Sequence, residues 1–569
     1  MVLDGVDVFV ALTSNEVTDW SDLSHTTPDG INTGGSNQGL YPFGKLQVDN
    51  GHFYQGESEA INFRDEAPGI IEVNGGLMEV NQIAISSSAT NGYFSLIING
   101  GEVRLTGEYG VDNGRAVLNL DKADMAFTMT GGILNIQDVS THSPNGIHIL
   151  SADGNYNVTG GTVNIDAGAN VQIYSTAPFY DFNVINGSTA TLQYQLSVLG
   201  DLTIENGATL NTDGNDVYIG DDFNLNNGGT YAHDNNTTYF NGSVNSNINV
   251  SNTTNPGELE FYNLTIIKDQ RYNPLLFRRV EVSSGGRDSD VHPVNIVNDL
   301  YIQRGEFDVD EWEVDIQGNI EIVDGQIISS ETTKPEGWLV LNGAVQQTIK
   351  GSSTKEQEFG SLELDNTNGL LLLSNINVTD FILTPNAGNA LVDLDIYNLD
   401  VSGDITLASG SYGNTIMFET AGNASDGGLT LPLDLEDRAY ATETVADFPI
   451  GSSGVYNPSE IYIDGNPGAT TGEVTMNGVD NTHPSVSNPS NALAYYWNVE
   501  VDGFSGIDNT SVNYVFTYPA GFGNSWQCMK LYEGTTDWDG SNDDSSPDIP
   551  FYDVGMLGGS FTVGNPSGF

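Results

Sequence analysis

A single cysteine, Cys528, stands in this chain of 569 residues. That excludes an intrachain disulfide, a cysteine-based zinc site and an iron–sulfur cluster. Basic residues are scarce too, with 16 Lys plus Arg against 76 Asp plus Glu and a net charge of −60. Nucleic-acid binding depends on Lys and Arg displacing counterions from phosphates, so nucleic acid is excluded as a partner, and anionic membrane surfaces are disfavoured. No apolar run reaches the roughly 18 residues a spanning helix needs, so no membrane insertion is expected. The seven histidines show no H-x-H or HExxH spacing, and no G-x-S-x-G phrase sits between a strand and a helix, so neither zincin nor nucleophile-elbow chemistry is indicated. The start, Met1-Val-Leu-Asp, lacks the basic and apolar regions of a secretion signal, and the end follows closely on a strand-like Ser560-Phe-Thr-Val563. The expectation is an excerpt from a longer chain.

Glycine is plentiful, at 67 residues, while charged residues make up only 16% and hydrophobic ones 38%. Polarity therefore comes mainly from Asn, Thr, Ser and Asp. Such a balance suits many short strands joined by tight turns and does not suit helical bundles. The acidic excess keeps an extracellular protein soluble and offers carboxylates to calcium.

One phrase recurs in the first half: VNGGLMEV at 73–80, INGGEVRL at 98–105, MTGGILNI at 129–136, VTGGTVNI at 158–165 and, more weakly, INGSTATL at 185–192. The starts lie 25, 31, 29 and 27 residues apart, about one solenoid coil each. Glycines supply the corner, and the alternation after them is a period-2 strand signal. A second pair of phrases recurs at longer range. FYDFNV (179–184), FYNLTI (261–266) and FGSLEL (359–364) are followed by VLGDLTI (198–204), VNDLYI (297–302) and VTDFIL (378–383). Without 17 extra residues in the middle copy, the repeat length is 82 and then 81 residues, or about four coils of roughly 20. Recurrent Asn at the corners predicts stacked ladders.

The predicted fold is all-β: a right-handed parallel β-helix followed by a C-terminal antiparallel β-sandwich. Right-handedness follows from the rule for parallel crossovers. Residues 1–70 read as an N-terminal cap or incomplete coil, 71–430 as the parallel β-helix, and 431–569 as the sandwich, where FPIGSSGVYNP (448–458), YYWNVEV, VNYVFTY and CMKLYEG gather around Trp497 and Trp526. Since coils bury their inner faces only by stacking, the sandwich is also a candidate cap for the open end.

These phrases resemble large secreted surface proteins of Bacteroidota, of the kind exported by type IX secretion. LNGAVQQTIKG with FGSLEL matches their "FNG…Q.I.G" and "F..L.I" phrases, FNGSVNSNINV with FYNLTI matches in part, and FPIGSSGVYNP, YYWNVEV and GSFTVGNP look like the sandwich preceding their sorting domain. The resemblance covers roughly residues 170–569. It implies an extracellular or outer-surface location, secretion-machinery partners and an adhesin-like role, and leaves activity open. The sorting domain itself is not present in this sequence.

Asn211-Thr212-Asp213 with Gly220-Asp221-Asp222 resembles β-helical pectin hydrolases. Those enzymes set carboxylates about one coil apart, however, and 8 residues separate Asp213 from Asp221. Their later Gly-His-Gly and Arg-Ile-Lys phrases do not occur here. The scarce bases concentrate near the 17-residue insertion, where Lys268, Arg271, Arg278, Arg279 and Arg287, with Tyr272 and Phe277, form a candidate binding loop. An insertion should leave a solenoid as a side loop, suited to an anionic glycan or another surface protein. The competing reading pairs these arginines with Asp269, Glu281, Asp288 and Asp290 on a structural loop. Asp537, Asp539, Asp543 and Asp544, around Gly540, form a candidate Ca2+ site without the EF-hand spacing; an exposed acidic loop explains them equally well. The functional expectation is a non-enzymatic extracellular scaffold, adhesin-like, that presents a binding loop. A polysaccharide-active lyase or hydrolase and a structural filament segment are the alternatives.

Overall fold

The computed structural model describes residues 44–503, apart from 56–59, 64–68, 86–93, 108–114, 142, 252–258, 269–277, 285–293, 330–336, 353–357, 436–440, 466–470 and 483–493. Outside that range it describes the strands Val2–Leu3, Val8–Val10, Gly39–Leu40, Val512–Thr517, Tyr532–Glu533, Asp537–Trp538 and Ser560–Gly564. Among the described residues all regular structure is β, and no helix is long and apolar enough to cross a membrane. The chain divides into two compact units, Met1–Trp312 and Glu313–Phe569.

In the first unit the Gly-Gly phrases stack as their spacing predicts. Val73 pairs with Ile98, Ile98 with Met129 and Met129 with Val158, always in parallel. Period-2 alternation then sorts the side chains. One inward column runs Val103, Leu134, Val163, Phe182, Leu202 and Phe223, each the cross-strand partner of the next. All six are 0% exposed, and burying such a side chain contributes about 1.5–3 kcal/mol. The neighbouring outward column is polar. Asn164 donates to Asn135 at 2.7 Å, Asn183 to Asn164 at 3.0 Å and Asn249 to Asn224 at 2.7 Å. The expected corner ladder is present as well, with Asn74 bonded to Asp49, Asn99 to Asn74 and Thr130 to Asn99. Two places on from each corner Asn only glycine fits: Gly101 has φ +66° and an added Cβ would lie 2.5 Å from the Gly76 carbonyl oxygen.

Three features differ from the sequence reading or refine it. The weak copy INGSTATL does not join this column, because Thr189–Leu192 pairs with Asn170–Ile173 in a second parallel sheet of nine strands. Parallel pairing also extends into the N-terminal 70 residues, where Gly44–Val48 lies in register on Gly69–Val73, and Val2–Leu3 on Gln47–Val48. Finally, part of the inserted stretch is no side loop. Its strand Arg279–Ser284 joins the ladder on Ser246–Val250, because Val280 and Val282 supply the inward alternation and are 0% exposed. The two long-range phrases prove to be consecutive coils, with Phe182 on Leu202 and Leu264 on Leu300.

The second unit repeats the plan. Glu313–Ile316, Trp338–Leu341, Ser361–Leu364, Phe381–Leu383 and Ile405–Leu407 pair successively in parallel. Another parallel set, Ile376–Val378, Leu399–Val401 and Leu429–Asp434, continues into the antiparallel strands Thr471–Val479 and Tyr496–Asp502. The switch from parallel to antiparallel thus falls on the strand that spans the expected domain boundary. Parallel pairing there ends at Thr430, two residues before Pro432, whose nitrogen has no proton to donate to a preceding coil. A four-stranded antiparallel sheet follows from Ala441–Phe448, Ser459–Gly465, Val512–Thr517 and Ser560–Gly564. Trp497 donates to the Asn457 carbonyl at 2.9 Å and meets Phe516 with ring centroids 5.0 Å apart. Trp526 lies outside the described residues.

Candidate functional site

Lys268, expected on an exposed binding loop, is instead 0% exposed. It continues the inward parity of Leu264 and Ile266, so alternation carries it into the core. Its ammonium donates to the Gly220 carbonyl at 3.1 Å and to Ser246 Oγ, and lies 5.7 Å from the centre of the Phe240 ring. Arg279 is engaged as well, bonding Asp308, which is 0% exposed, at 2.7 Å and Glu281 at 2.9 Å. The Glu281 pairing is one that the structural reading of the loop anticipated. Other bases behave alike: Arg104 pairs with Glu79, Lys45 with Glu72 and Lys350 with Glu321, each tying one coil to another. Arg278 is half-buried, and its Nε has no hydrogen-bond partner among the described residues. Arg271, Tyr272, Phe277 and Arg287 lie outside the described residues, as do Asp539, Asp543 and Asp544, while Asp537 begins the two-residue strand Asp537–Trp538.

A carboxylate cluster does assemble, of Asp221 and Asp222 with Asp201 in place of Asp213. Asp213 sits in a turn with φ 49°, its backbone N–H bonded to Asn211. One coil before Asp221 and Asp222 the chain instead places Asp201. Oxygens of Asp201, Asp221 and Asp222 all lie within 4.8 Å of one another. A ladder of corner bonds brings them together. Asp201 N–H donates to Asp181 at 3.0 Å, Asp222 N–H to Asp201 at 3.1 Å, and Asn247 N–H to Asp222 at 2.7 Å. The same device recurs in the second unit, where Asp404 N–H donates to Asp380 at 2.7 Å. Tyr180 and Leu199 stand beside the cluster, 37% and 44% exposed. The signal for Asp201 was present in the sequence, as Gly200-Asp201 in VLGDLTI precedes Gly220-Asp221 by 20 residues.

The electrostatics of the cluster follow from burial and crowding. Burial, then the neighbouring Asp222, Asp221 and Asp181 charges, push the Asp201 carboxyl above the ordinary range, against the Asp222 N–H bond that lowers it. Asp221 is raised for the same reasons, with Lys268 pulling the other way. A raised folded pKa means that stability is present below the ordinary carboxylate value and is lost as pH rises through the folded one. Asp201→Asn keeps an Oδ1 acceptor, as Asn319 and Asn375 do when they accept the N–H of Thr348 and Asn398 one coil on, and removes the charge. It is expected to raise the melting temperature at pH 7 and to leave it unchanged near pH 3, where Asp201 is already neutral; melting curves at the two pH values decide. An equal gain at both would mean that charge crowding is not the cause.

Chemically, the arrangement admits two readings: a structural corner ladder with Lys268 as internal counter-charge, or a pair of carboxylates spaced for acid–base work on a ligand beside Tyr180. No family model matches the chain, and no curated protein and no solved structure matches it.

Proposed function

We propose that the chain is a non-enzymatic extracellular surface protein, an acidic right-handed β-solenoid with a C-terminal β-sandwich, belonging to the type IX-exported, adhesin-like proteins of Bacteroidota. The observation that carries this reading is the outward Asn135–Asn164–Asn183 ladder. Its half-buried side chains bond one coil to the next, which suits a rigid display scaffold. The Trp497–Phe516 contact joins strands of the two C-terminal sheets, as the core of a sandwich would. With Lys268 and Arg279 committed internally, the binding segment reduces to Arg278 with Arg271, Tyr272, Phe277 and Arg287, offered to an anionic glycan or an acidic surface protein. Calcium at Asp537, Asp539, Asp543 and Asp544 would steady the far C-terminal region.

Antibody labelling of intact producing cells, paired with an assay of purified protein on neutral and uronate polysaccharides, tests the proposal. Labelled cells and no new reducing ends are expected; label confined to lysed cells would overturn it. The second reading, a polysaccharide-active enzyme, is favoured by the convergence of the Asp201 and Asp221 carboxylates, whose oxygens lie within 4.8 Å of each other, since glycoside hydrolysis works through a carboxylate pair. Release of reducing ends that Asp201→Asn abolishes would establish that reading instead.

A further inference from the structure

Two shallow depressions of about 300 and 380 Å³ adjoin on the five-stranded sheet of the second unit and share Asn398, Thr475 and Glu500. Sheet register explains this trough. Asn377, Asp400, Thr430, Thr475 and Glu500 are successive cross-strand partners, one polar row running over all five strands. Beside it Glu473 stands opposite Asp502. The alternate residues Leu399, Leu429, Val474 and Met476 are 0% exposed, so alternation leaves polar side chains on the outer face. The Thr430 and Thr475 hydroxyls bond each other at 2.8 Å, and Asp400 accepts from Thr430. Asn398 turns its Oδ1 to the Gly428 N–H at 2.9 Å, which directs its Nδ2 donor the opposite way.

We propose that this trough binds a neutral oligosaccharide. The carboxylates of Glu473, Glu500 and Asp502, with Asp400 beside them, offer mainly acceptor oxygens, so the ligand must be rich in donors. The Asn398 amide in turn calls for an acceptor, whereas the threonine protons are already given to Asp400 and to one another. A polyol supplies both, whereas a polyammonium supplies donors alone. A dication is disfavoured by geometry. Among the described residues, the one group of three carboxylates with oxygens inside 4.8 Å is Asp201, Asp221 and Asp222, so the trough's carboxylates are spread rather than converged on a point. Strands stand about 4.8 Å apart, so the row offers a polar group at each step, close to the length of one pyranose unit.

This inference deepens the adhesive role proposed above but uses a different surface from the arginine segment, so the two can fail separately. The test is an array of neutral glucan, mannan, galactan and xylan oligosaccharides beside uronate oligosaccharides, probed with the full chain, with and without EDTA. Glu473 and Glu500 are both exposed, so the Glu473→Ala/Glu500→Ala variant should fold, and its melting curve verifies this. Binding of a neutral class that is indifferent to EDTA, weakened about tenfold or more in that variant and unchanged in Arg278→Ala, is expected. Neutral binding that the double substitution leaves intact would overturn the proposal, as would the absence of any neutral binding by the folded wild type. Uronate binding lost in Arg278→Ala, without neutral binding, would sustain the arginine segment and reject the trough.

Discussion

Gly242→Ala is expected to unstack the coil that carries it, at a cost of about 4 kcal/mol or more. An added Cβ would lie 1.6 Å from the Gly220 carbonyl oxygen and 2.5 Å from its carbon, and both are backbone atoms with no side-chain freedom to retreat. Gly220 is itself held by its N–H bond to Val198 at 2.8 Å, and its own Cβ position lies 2.0 Å from the Leu199 carbonyl oxygen. Relief would require moving the whole Thr237–Phe240 strand off Val217–Ile219, and with it the buried Phe240. Gly413→Ala is the control, since none of the described residues lies within 4 Å of its Cβ position; a change within about 0.5 kcal/mol is expected. Urea unfolding of both variants decides. A Gly242→Ala midpoint equal to that of wild type would show that the coils do not approach this closely.

Lys268→Ala should be nearly as damaging, by about 3–5 kcal/mol. It empties a fully buried volume beside Phe240 and removes the donor to Gly220 O and Ser246 Oγ. Lys268→Met refills most of the volume without restoring the donor, so a smaller loss of about 1–3 kcal/mol is expected. Charge adds a pH signature. Lys268 holds the Asp221 carboxyl lower than burial alone would set it. Without the ammonium, Asp221 rises further, and stability is lost as pH climbs through that folded value. Both variants should therefore show a larger deficit at pH 7 than at pH 4. A deficit independent of pH would mean that Lys268 acts through packing and hydrogen bonding alone.

The coil period was legible because the corner demands glycine at fixed places: the Gly-Gly phrases at 73, 98, 129 and 158 name the residues that pair. Composition and alternation likewise carried the all-β reading. Asp49-Asn50-Gly51 is harder to see, since it makes the same corner with one glycine fewer, Gly51 at φ 79°; the stretch upstream of residue 71 therefore reads as a cap or an incomplete coil. INGSTATL misled in the opposite sense, because a corner phrase says nothing about which sheet its strand enters. Charge was the least legible layer. A lysine inside an alternating apolar strand, as in Leu264-Thr-Ile266-Ile-Lys268, obeys the parity of its neighbours, and a reading by residue type put it on the surface. Asp201 was overlooked because spacing was measured from Asp213, in a turn, and not from the equivalent corner of the previous coil. The polar row ending at Glu500 depends on the switch to antiparallel pairing, which no local phrase announces.

The bonds between coils of the first unit also determine how that unit answers a mechanical load. Ladder contacts such as Gly220 N–H to Val198 O and Asn241 N–H to Ile219 O join one coil to the next and lie along the direction in which coils stack. A pull that lifts the outermost coil therefore opens its few bonds before any others, and the load passes to the next coil only afterwards. Successive corners are 20, 21 and 25 residues apart at Asp181, Asp201, Asp222 and Asn247. Each release should lengthen the chain by roughly 65–90 Å, at about 3.3–3.6 Å per residue. Such a unit would yield as a staircase of small, repeatable steps, dissipating a sudden tug coil by coil while the remaining stack keeps its register.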